Sequence, residues 1–259
     1  MRFRPCIDIH NGKVKQIVGG SLSDERDQAD ENFVSDLSAA DFARFYRRDH
    51  VKGGHIILLN PVSSPYYEAT KAQAVSALQE WKGAMQIGGG IHSENASFYL
   101  EAGASHVIVT SFVFQNGQIQ YENLEKIERE TGKDRLVLDL SCRKKDGQYY
   151  IVTDRWQKFT DVILSEQVLD ELSEHCAEFL IHAVDVEGKA SGIEAPLVKM
   201  LGKWGKIPIT YAGGVGSFKD LEELRKAGKN RLDVTIGSAL DLFGGHMEYQ
   251  KVLKLCEKY

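Results

Sequence analysis

The chain repeats itself, and this constrains its fold more than any single motif does. QIGGGIHSENASFYLEAGASHVIVTSF in the first half parallels TYAGGVGSFKDLEELRKAGKNRLDVTIGSAL in the second. Gly89-Gly90 maps onto Gly213-Gly214, and Ser93 maps onto Ser217 at the same offset. Ser111 maps onto Ser238 after a small insertion. The opening segment has a counterpart too: CIDIHNGKVKQIV parallels LVLDLSCRKKDGQYYIV, which sets Asp8 against Asp139. Each half therefore carries the same run of elements, and two such halves make a fold with approximate two-fold symmetry.

Within each half, short β-branched runs alternate with amphipathic stretches. Strands are expected at residues 5–9, 55–60, 85–87, 106–110, 136–140, 179–184, 209–211 and 233–236. Helical patterns lie between them, for example at 67–81, 95–102, 166–175 and 219–226. Such alternation predicts parallel pairing through right-handed crossovers. Two matching halves of four strands each then predict an α/β fold, a (β/α)8 TIM barrel with an internal two-fold half-barrel repeat. The length of 259 residues suits it, and no linker-like segment divides the chain. Residues 1–259 are expected to form one domain, with half-barrels at roughly 1–130 and 131–259.

The functional signals sit where strands end. Gly88-Gly89-Gly90-Ile91 follows a strand, and Ser93 fits the N-cap of the next helix. Ala212-Gly213-Gly214-Val215 repeats the arrangement, with Ser217 and Asp220 in a capping-box pattern. Glycine lets the backbone approach a ligand closely, so that its N–H groups can face phosphate oxygens. One strand after each glycine loop comes a small polar strand end: Thr110-Ser111 and Gly237-Ser238. Either loop alone reads equally well as a tight turn; the pattern occurring twice, in register, favours two phosphate sites.

Asp8 and Asp139 lie in otherwise apolar strands, one and five of the expected barrel. Carboxylates at the C-terminal ends of barrel strands read as catalytic, and a symmetric pair suits acid–base work on two sides of a bound sugar. The competing reading, a cap or a buried ion-pair partner for each, is weaker for a pair than for one aspartate. Asp185 either orients the substrate or caps a loop. Arg143 follows Asp139 closely and is a phosphate partner by position. Trp156 either stacks on a planar ring or packs in the fold. Gly19 precedes a charged stretch at 21–32 that reads as a mobile lid or an insertion. His10, His55 and His182 read as core or loop residues, and no spacing supports a metal site.

Together CIDIHNGKVKQIV, QIGGGI, LVLDLSCRKKDG, VTDRWQKF, IHAVDVEGKASGI, YAGGV and TIGSAL resemble the phosphoribosylformimino-5-aminoimidazole carboxamide ribotide isomerases of histidine biosynthesis, in their eukaryotic-like branch. The resemblance covers essentially the whole chain. It implies an Amadori rearrangement of an aminoaldose to an aminoketose, without cofactor or metal. It also implies Asp8 as general base and Asp139 as general acid, with Gly89-Gly90, Ser111, Gly213-Gly214 and Ser238 holding two phosphates. There is a departure: many bacterial relatives carry a threonine on strand six, where this chain has Ala183, and an acidic cluster near Asn60. Asp185 and Ser191 are the candidates to replace the missing hydroxyl.

The rival readings are the cyclase subunit of imidazole glycerol phosphate synthase, a non-catalytic phosphosugar-binding barrel, and an isomerase that also serves tryptophan synthesis. A formal net charge of -5 argues against a nucleic-acid partner. No apolar run is long enough to cross a bilayer, and MRFRPCIDIHNGKV runs into a strand with no signal core. The four scattered cysteines suit free thiols in a reducing compartment. The expected protein is a cytoplasmic monomer acting on a small bis-phosphorylated substrate; an organellar enzyme without its transit peptide would read the same.

Overall fold

The computed structural model describes residues 1–17, 31–189 and 191–257. Its eight barrel strands are β1 Cys6–His10, β2 His55–Leu58, β3 Gln86–Gly88, β4 Val107–Val109, β5 Leu136–Asp139, β6 Glu178–His182, β7 Ile209–Ala212 and β8 Asp233–Thr235. Each pairs in parallel with the next. The ring closes just before β1, where Phe3 bridges Val234 in parallel register. There the Arg4 N–H donates to the Val234 carbonyl at 2.8 Å, and the Val234 N–H donates to the Arg2 carbonyl at 2.9 Å. All the strands expected from the sequence are present.

A helix follows every strand: α1 Ala39–Arg48, α2 Tyr67–Glu80, α3 Ala96–Ala102, α4 Tyr121–Thr131, α5 Glu166–Ser173, α6 Ala195–Trp204, α7 Phe218–Ala227 and α8 Tyr249–Glu257. Local chemistry sets their ends. Ser38 and Asp41 form a reciprocal capping box on α1. Ser217 caps α7 as expected, but the Asp220 carboxylate accepts from Gly216 N–H. Ser93 is not a cap. The chain spends one more turn before α3 starts, because Asn95 accepts from His92 N–H at 2.9 Å and donates to the Gly90 carbonyl at 3.0 Å.

Besides a short hairpin of Phe114–Gln115 with Gln118–Ile119 after β4, two strand–helix connections carry extra β-structure at equivalent places in the repeat. After β1, Lys13–Ile17 folds back antiparallel on β1 and pairs in turn with Glu31–Val34. After β5, Cys142–Lys145, Gln148–Thr153 and Lys158–Ile163 form a three-stranded antiparallel sheet. Asn11-Gly12 and Asp146-Gly147 make the tight turns, with φ of 53° and 73° in one and 51° and 81° in the other. Both central residues of such a hairpin turn need positive φ, which Asn-Gly and Asp-Gly supply at least cost.

The bore is filled in layers by the period-two alternation of the strands. The bottom layer is polar. Glu178 accepts from Gln86 Nε2 at 3.0 Å and Thr210 Oγ1 at 2.6 Å, and its carboxylate lies 3.7 Å from Arg4 Nη2. Arg4 Nε donates to Asp233 at 2.9 Å. Above lies an apolar layer of Ile57, Ile108, Val137 and Leu180. Two residues further along the same strands stand Thr110, Asp139 and His182, so strand parity alone delivers them to the mouth. The outward residues, such as Ile7, Ile9, Leu138, Phe179 and Ile181, are buried beneath the helices.

Arg4 ties the closing segment to β6 and β8, and it is 7% exposed. Arg4→Met is expected to destabilise the fold by about 3–5 kcal/mol, because the buried Glu178 loses its cation and Asp233 keeps only that of the exposed Arg2. A urea denaturation midpoint unchanged from the wild type would remove this account.

Candidate functional site

The C-terminal ends of the barrel strands surround a cleft of about 480 Å3, lined among others by Asp8, Gly89, Gly90, Thr110, Ser111, Asp139 and Trp156. A narrower pocket of about 30 Å3 adjoins it, lined by Gly213, Gly214, Gly237 and Ser238. Asp8, Gln16, His182 and Glu187 line both. The two glycine loops thus stand on either side of a shared centre that holds Asp8, with Asp139 on the first side.

The loops share their backbone geometry. Gly89 and Gly90 have φ of 96° and 69°, and Gly213 and Gly214 have φ of 115° and 76°. The two members of the first loop differ in what surrounds them. A Cβ on Gly89 would lie 2.1 Å from the Leu58 carbonyl oxygen, so only glycine packs there. A Cβ on Gly90 would meet nothing within 4 Å, because it faces open space beside the cleft.

Asp139 is densely bonded. Its Oδ1 accepts from Ser141 N–H at 2.8 Å and Ser141 Oγ at 2.5 Å; its Oδ2 accepts from Thr110 Oγ1 at 3.2 Å. The Ser141 hydroxyl also meets His182 Nδ1 at 3.0 Å, and that nitrogen lies 3.9 Å from Asp139 Oδ1. Asp8 is served far less well: Gln16 Nε2 approaches its Oδ2 at 3.5 Å.

The environments split the titrations accordingly. Burial pushes the Asp8 carboxyl up to about 7, with the His182 charge opposing and Glu187 adding to the rise. Burial also acts to raise Asp139, but the neighbouring His182 imidazole and the bonds from Ser141 outweigh it and hold Asp139 below its ordinary value. For His182, burial acts to lower the imidazole; Asp139 outweighs it, Glu187 and Asp8 add to the effect, and the net direction is upward. Glu187 is raised by burial against the pull of His182, and its Oε2 has no hydrogen-bond partner among the described residues. His55, whose ring lies 6.0 Å from that of His182, is pushed down to about 3 by burial, with His182 adding, and is neutral.

Two expected site residues lie apart from the cleft. Arg143 Nε donates to Asp185 Oδ1 at 2.9 Å, and Asp185 Oδ2 accepts from Lys144 N–H at 2.8 Å. The bridge between Cys142 and Ala183 brings these two loops together. The cation and the anion therefore satisfy each other at the rim. The structure thus sets these two residues against each other, and a hydroxyl beside Asp139 comes from Ser141. Trp156 does face the cleft, its ring 5.2 Å from that of His182. Residues 154–156 all have positive φ, which aims this turn inward. Gly19 and most of the 21–32 stretch lie outside the described residues.

Sequence reasoning missed His182, Glu187, Gln16 and Ser141 as site residues. His182 had a readable signal: it follows Glu178 and Leu180 by twos, so it shares their inward face at the ligand end of the strand. Asn60 was read only as a departure from relatives. It accepts from Asn11 N–H at 2.7 Å and Thr70 Oγ1 at 2.6 Å, while Thr70 Oγ1 accepts from Gly12 N–H at 3.0 Å. It thereby fixes the hairpin that carries Gln16.

The four cysteines are buried, and none forms a disulfide among the described residues. Among the described residues no group of three or more His, Cys, Asp or Glu is placed to hold a metal ion, and no helix is long and apolar enough to cross a membrane.

Comparison with known proteins gives this geometry a context. A chloroplastic 1-(5-phosphoribosyl)-5-((5-phosphoribosylamino)methylideneamino)imidazole-4-carboxamide isomerase of Medicago truncatula is 54% identical over 98% of this chain and 81% of its own length. The isomerase of the same name from Neurospora crassa is 44% identical over 94% of this chain and 93% of its own. That of Saccharomyces cerevisiae is 42% identical over 95% and 94%. The family described as histidine biosynthesis protein matches residues 2–248, and the chain belongs to that family.

Proposed function

We infer that this chain is an isomerase of histidine biosynthesis, and that it converts the aminoaldose named in its relatives to the corresponding aminoketose. The observation that carries the reading is the shared centre: Asp8 touches both cavities, each cavity has a glycine loop, and Asp139 stands in the larger one. The substrate in the relatives' name has two phosphoribosyl groups, hence a phosphate at either end. Gly89-Gly90 with Thr110 and Ser111 would hold one phosphate, and Gly213-Gly214 with Gly237 and Ser238 the other. Backbone N–H groups suit this task, since they bind anions without adding a titrating charge beside the reacting carbons. Trp156 would stack on the planar imidazole carboxamide.

The reaction needs a proton delivered to the ribose ring oxygen and a proton removed from C2. Asp8 and Asp139 belong to opposite halves of the barrel and would serve the two sides. Asp8 is suited to the base side, because a group titrating near 7 combines a populated carboxylate with useful basicity at neutral pH. Asp139, with the groups bonded to it, belongs to the acid side. Anchoring at both ends holds C1 and C2 against these groups, which replaces a bimolecular encounter with a positioned one. No cofactor or metal enters this scheme. We take the chain to act as a monomer in the cytoplasm, with an organelle as the alternative suggested by the chloroplastic relative.

The direct test is incubation of the purified chain with the aminoaldose, following the ketose carbonyl by 13C NMR. Turnover without added ammonia or glutamine is expected; none would remove the reading. Asp8→Asn and Asp139→Asn should each lower kcat by roughly a hundred- to ten-thousand-fold.

Gly90→Ala separates ligand contact from folding. Its Cβ enters open space, so stability should fall by only about 1 kcal/mol for the positive φ, whereas KM should rise about tenfold or more. An unchanged KM would place the phosphate elsewhere.

The Asp8 carboxyl titrates higher in the folded chain than unfolded, so its contribution to stability is complete below about 4 and is lost as pH rises through 7. Asp8→Asn should therefore melt at the wild-type temperature near pH 4 and above it at pH 8. Parallel melting curves across that range would show that Asp8 is not a strained buried carboxylate.

A further inference from the structure

The acid side has a better proton carrier than the Asp139 carboxyl. Three hydrogen-bond donors converge on Asp139: Ser141 N–H, Ser141 Oγ and Thr110 Oγ1. A carboxylate served in this way is stabilised as the anion. The Ser141 hydroxyl has a single hydrogen, which it gives to Asp139 at 2.5 Å. Toward His182 Nδ1, 3.0 Å away, it can then only accept. This places a hydrogen on Nδ1 and makes Nε2 the nitrogen that gains or loses a proton. His182 makes no hydrogen bond through Nε2 among the described residues, and it lines both cavities.

We propose that His182 is the proton donor of the acid side, held charged by Asp139 through Ser141, and that it delivers to the ribose ring oxygen the proton carried on Nε2. This rests on the isomerase reading above and reassigns one role within it: Asp139 becomes the positioning carboxylate.

The proton balance closes. The lone pair of the nitrogen on C1 forms a C1=N bond as the C1–O ring bond breaks. The released electron pair stays on the ring oxygen, which takes the Nε2 proton and leaves a neutral imidazole. The Asp8 carboxylate then removes the C2 proton. The C–H electron pair becomes C1=C2, and the C=N electrons return to nitrogen, giving an enolamine. Asp8 hands its proton to C1 while the C2 hydroxyl proton returns to Nε2, leaving the ketose, a carboxylate and a recharged imidazolium. The enzyme ends in its starting protonation state.

The groups facing His182 support a charged ring. Asp139 lies on β5, Asp8 on β1 and Glu187 in the turn after β6; all three raise its proton affinity. From β2 comes the neutral His55, and from the hairpin turn the uncharged Trp156. Burial opposes these carboxylates and is outweighed.

The test is the pH dependence of kcat/KM for the full chain with the aminoaldose. The wild type should give a bell, rising as Asp8 ionises and falling on the alkaline side as His182 loses its proton. H182Q should lower kcat by roughly a hundred- to ten-thousand-fold with little change in KM, and its residual activity should lack the alkaline fall. S141A should move that fall to lower pH. The second readout is 15N–1H NMR of the histidine rings, with the His182 signals assigned by their absence in H182Q. In the wild type these signals should titrate above an ordinary histidine, and in S141A and D139N they should titrate lower. If H182Q fails to fold, S141A decides between the outcomes. Wild-type rate and an intact alkaline limb in H182Q, or identical His182 titration in S141A and the wild type, would overturn the proposal and leave the isomerase reading standing. A wild-type chain that cannot convert the aminoaldose would remove both.

Discussion

The closure of the barrel is the constraint on which the site depends. A curled sheet of eight parallel strands has two edges until Phe3 meets Val234 and Arg4 bridges Asp233 and Glu178. Closure fixes the inward parity of every strand at once. Asp8 lies five residues beyond the bridging Phe3, so the contact that seals the ring also sets where the Asp8 carboxyl stands. The sealing contacts are polar and lie at the bottom of the bore; the reacting groups are at the top, and an apolar layer separates them. That layer keeps the Arg4 cation from neutralising the carboxylates at the mouth, where the His182 imidazole stands among them.

Electrostatics at the mouth poses a problem that the fold solves by distance. Asp8, Asp139 and Glu187 bring three carboxyls to the centre, yet the proposed substrate carries two phosphates. Binding succeeds only if the phosphates are kept from the carboxyls. The glycine loops do this by standing to either side of the centre and offering backbone dipoles in place of side-chain cations. The pairing of Arg143 with Asp185 fits the same logic, since an unpaired arginine near Asp139 would compete with His182 for the carboxylate.

The scaffold was legible in the sequence because its signals are local. Alternating apolar runs located the eight strands, and the repeat told how many to expect. The glycine loops and the two aspartates were legible because duplication displayed each of them twice. What escaped depends on contacts between elements, or on strands too short and polar to stand out. Ser141 and His182 act as a unit only because β5 and β6 are neighbours, and they stand forty-one residues apart in the chain. Ser93 resembles a cap because Ser217 is one; α3 instead starts after Asn95, whose side chain bonds back into the loop and leaves the helix uncapped by a side chain. The hairpins are signalled by Asn11-Gly12 and Asp146-Gly147, but their strands are short and polar, so no apolar alternation marks them. The pairing of Arg143 with Asp185 is a tertiary contact between two loops, and no periodicity encodes it.

Duplication gives two equivalent carboxylates, whereas acid–base chemistry needs two different ones. The difference arises in the groups that bond each carboxyl. Asp8 has one long contact from Gln16, so burial dominates and its carboxyl rises toward neutrality. Asp139 has Ser141, Thr110 and a cationic imidazole, so donors dominate and its carboxyl falls. Neither strand position encodes this; the hydrogen-bond inventory of the neighbouring strand does. A symmetric barrel thus becomes a directional catalyst through a handful of side chains outside the repeat. For the same reason the histidine belongs with Asp139: an imidazole bonded beside Asp8 would pull that carboxyl down, and the site would hold two spectator anions and no base matched to neutral pH.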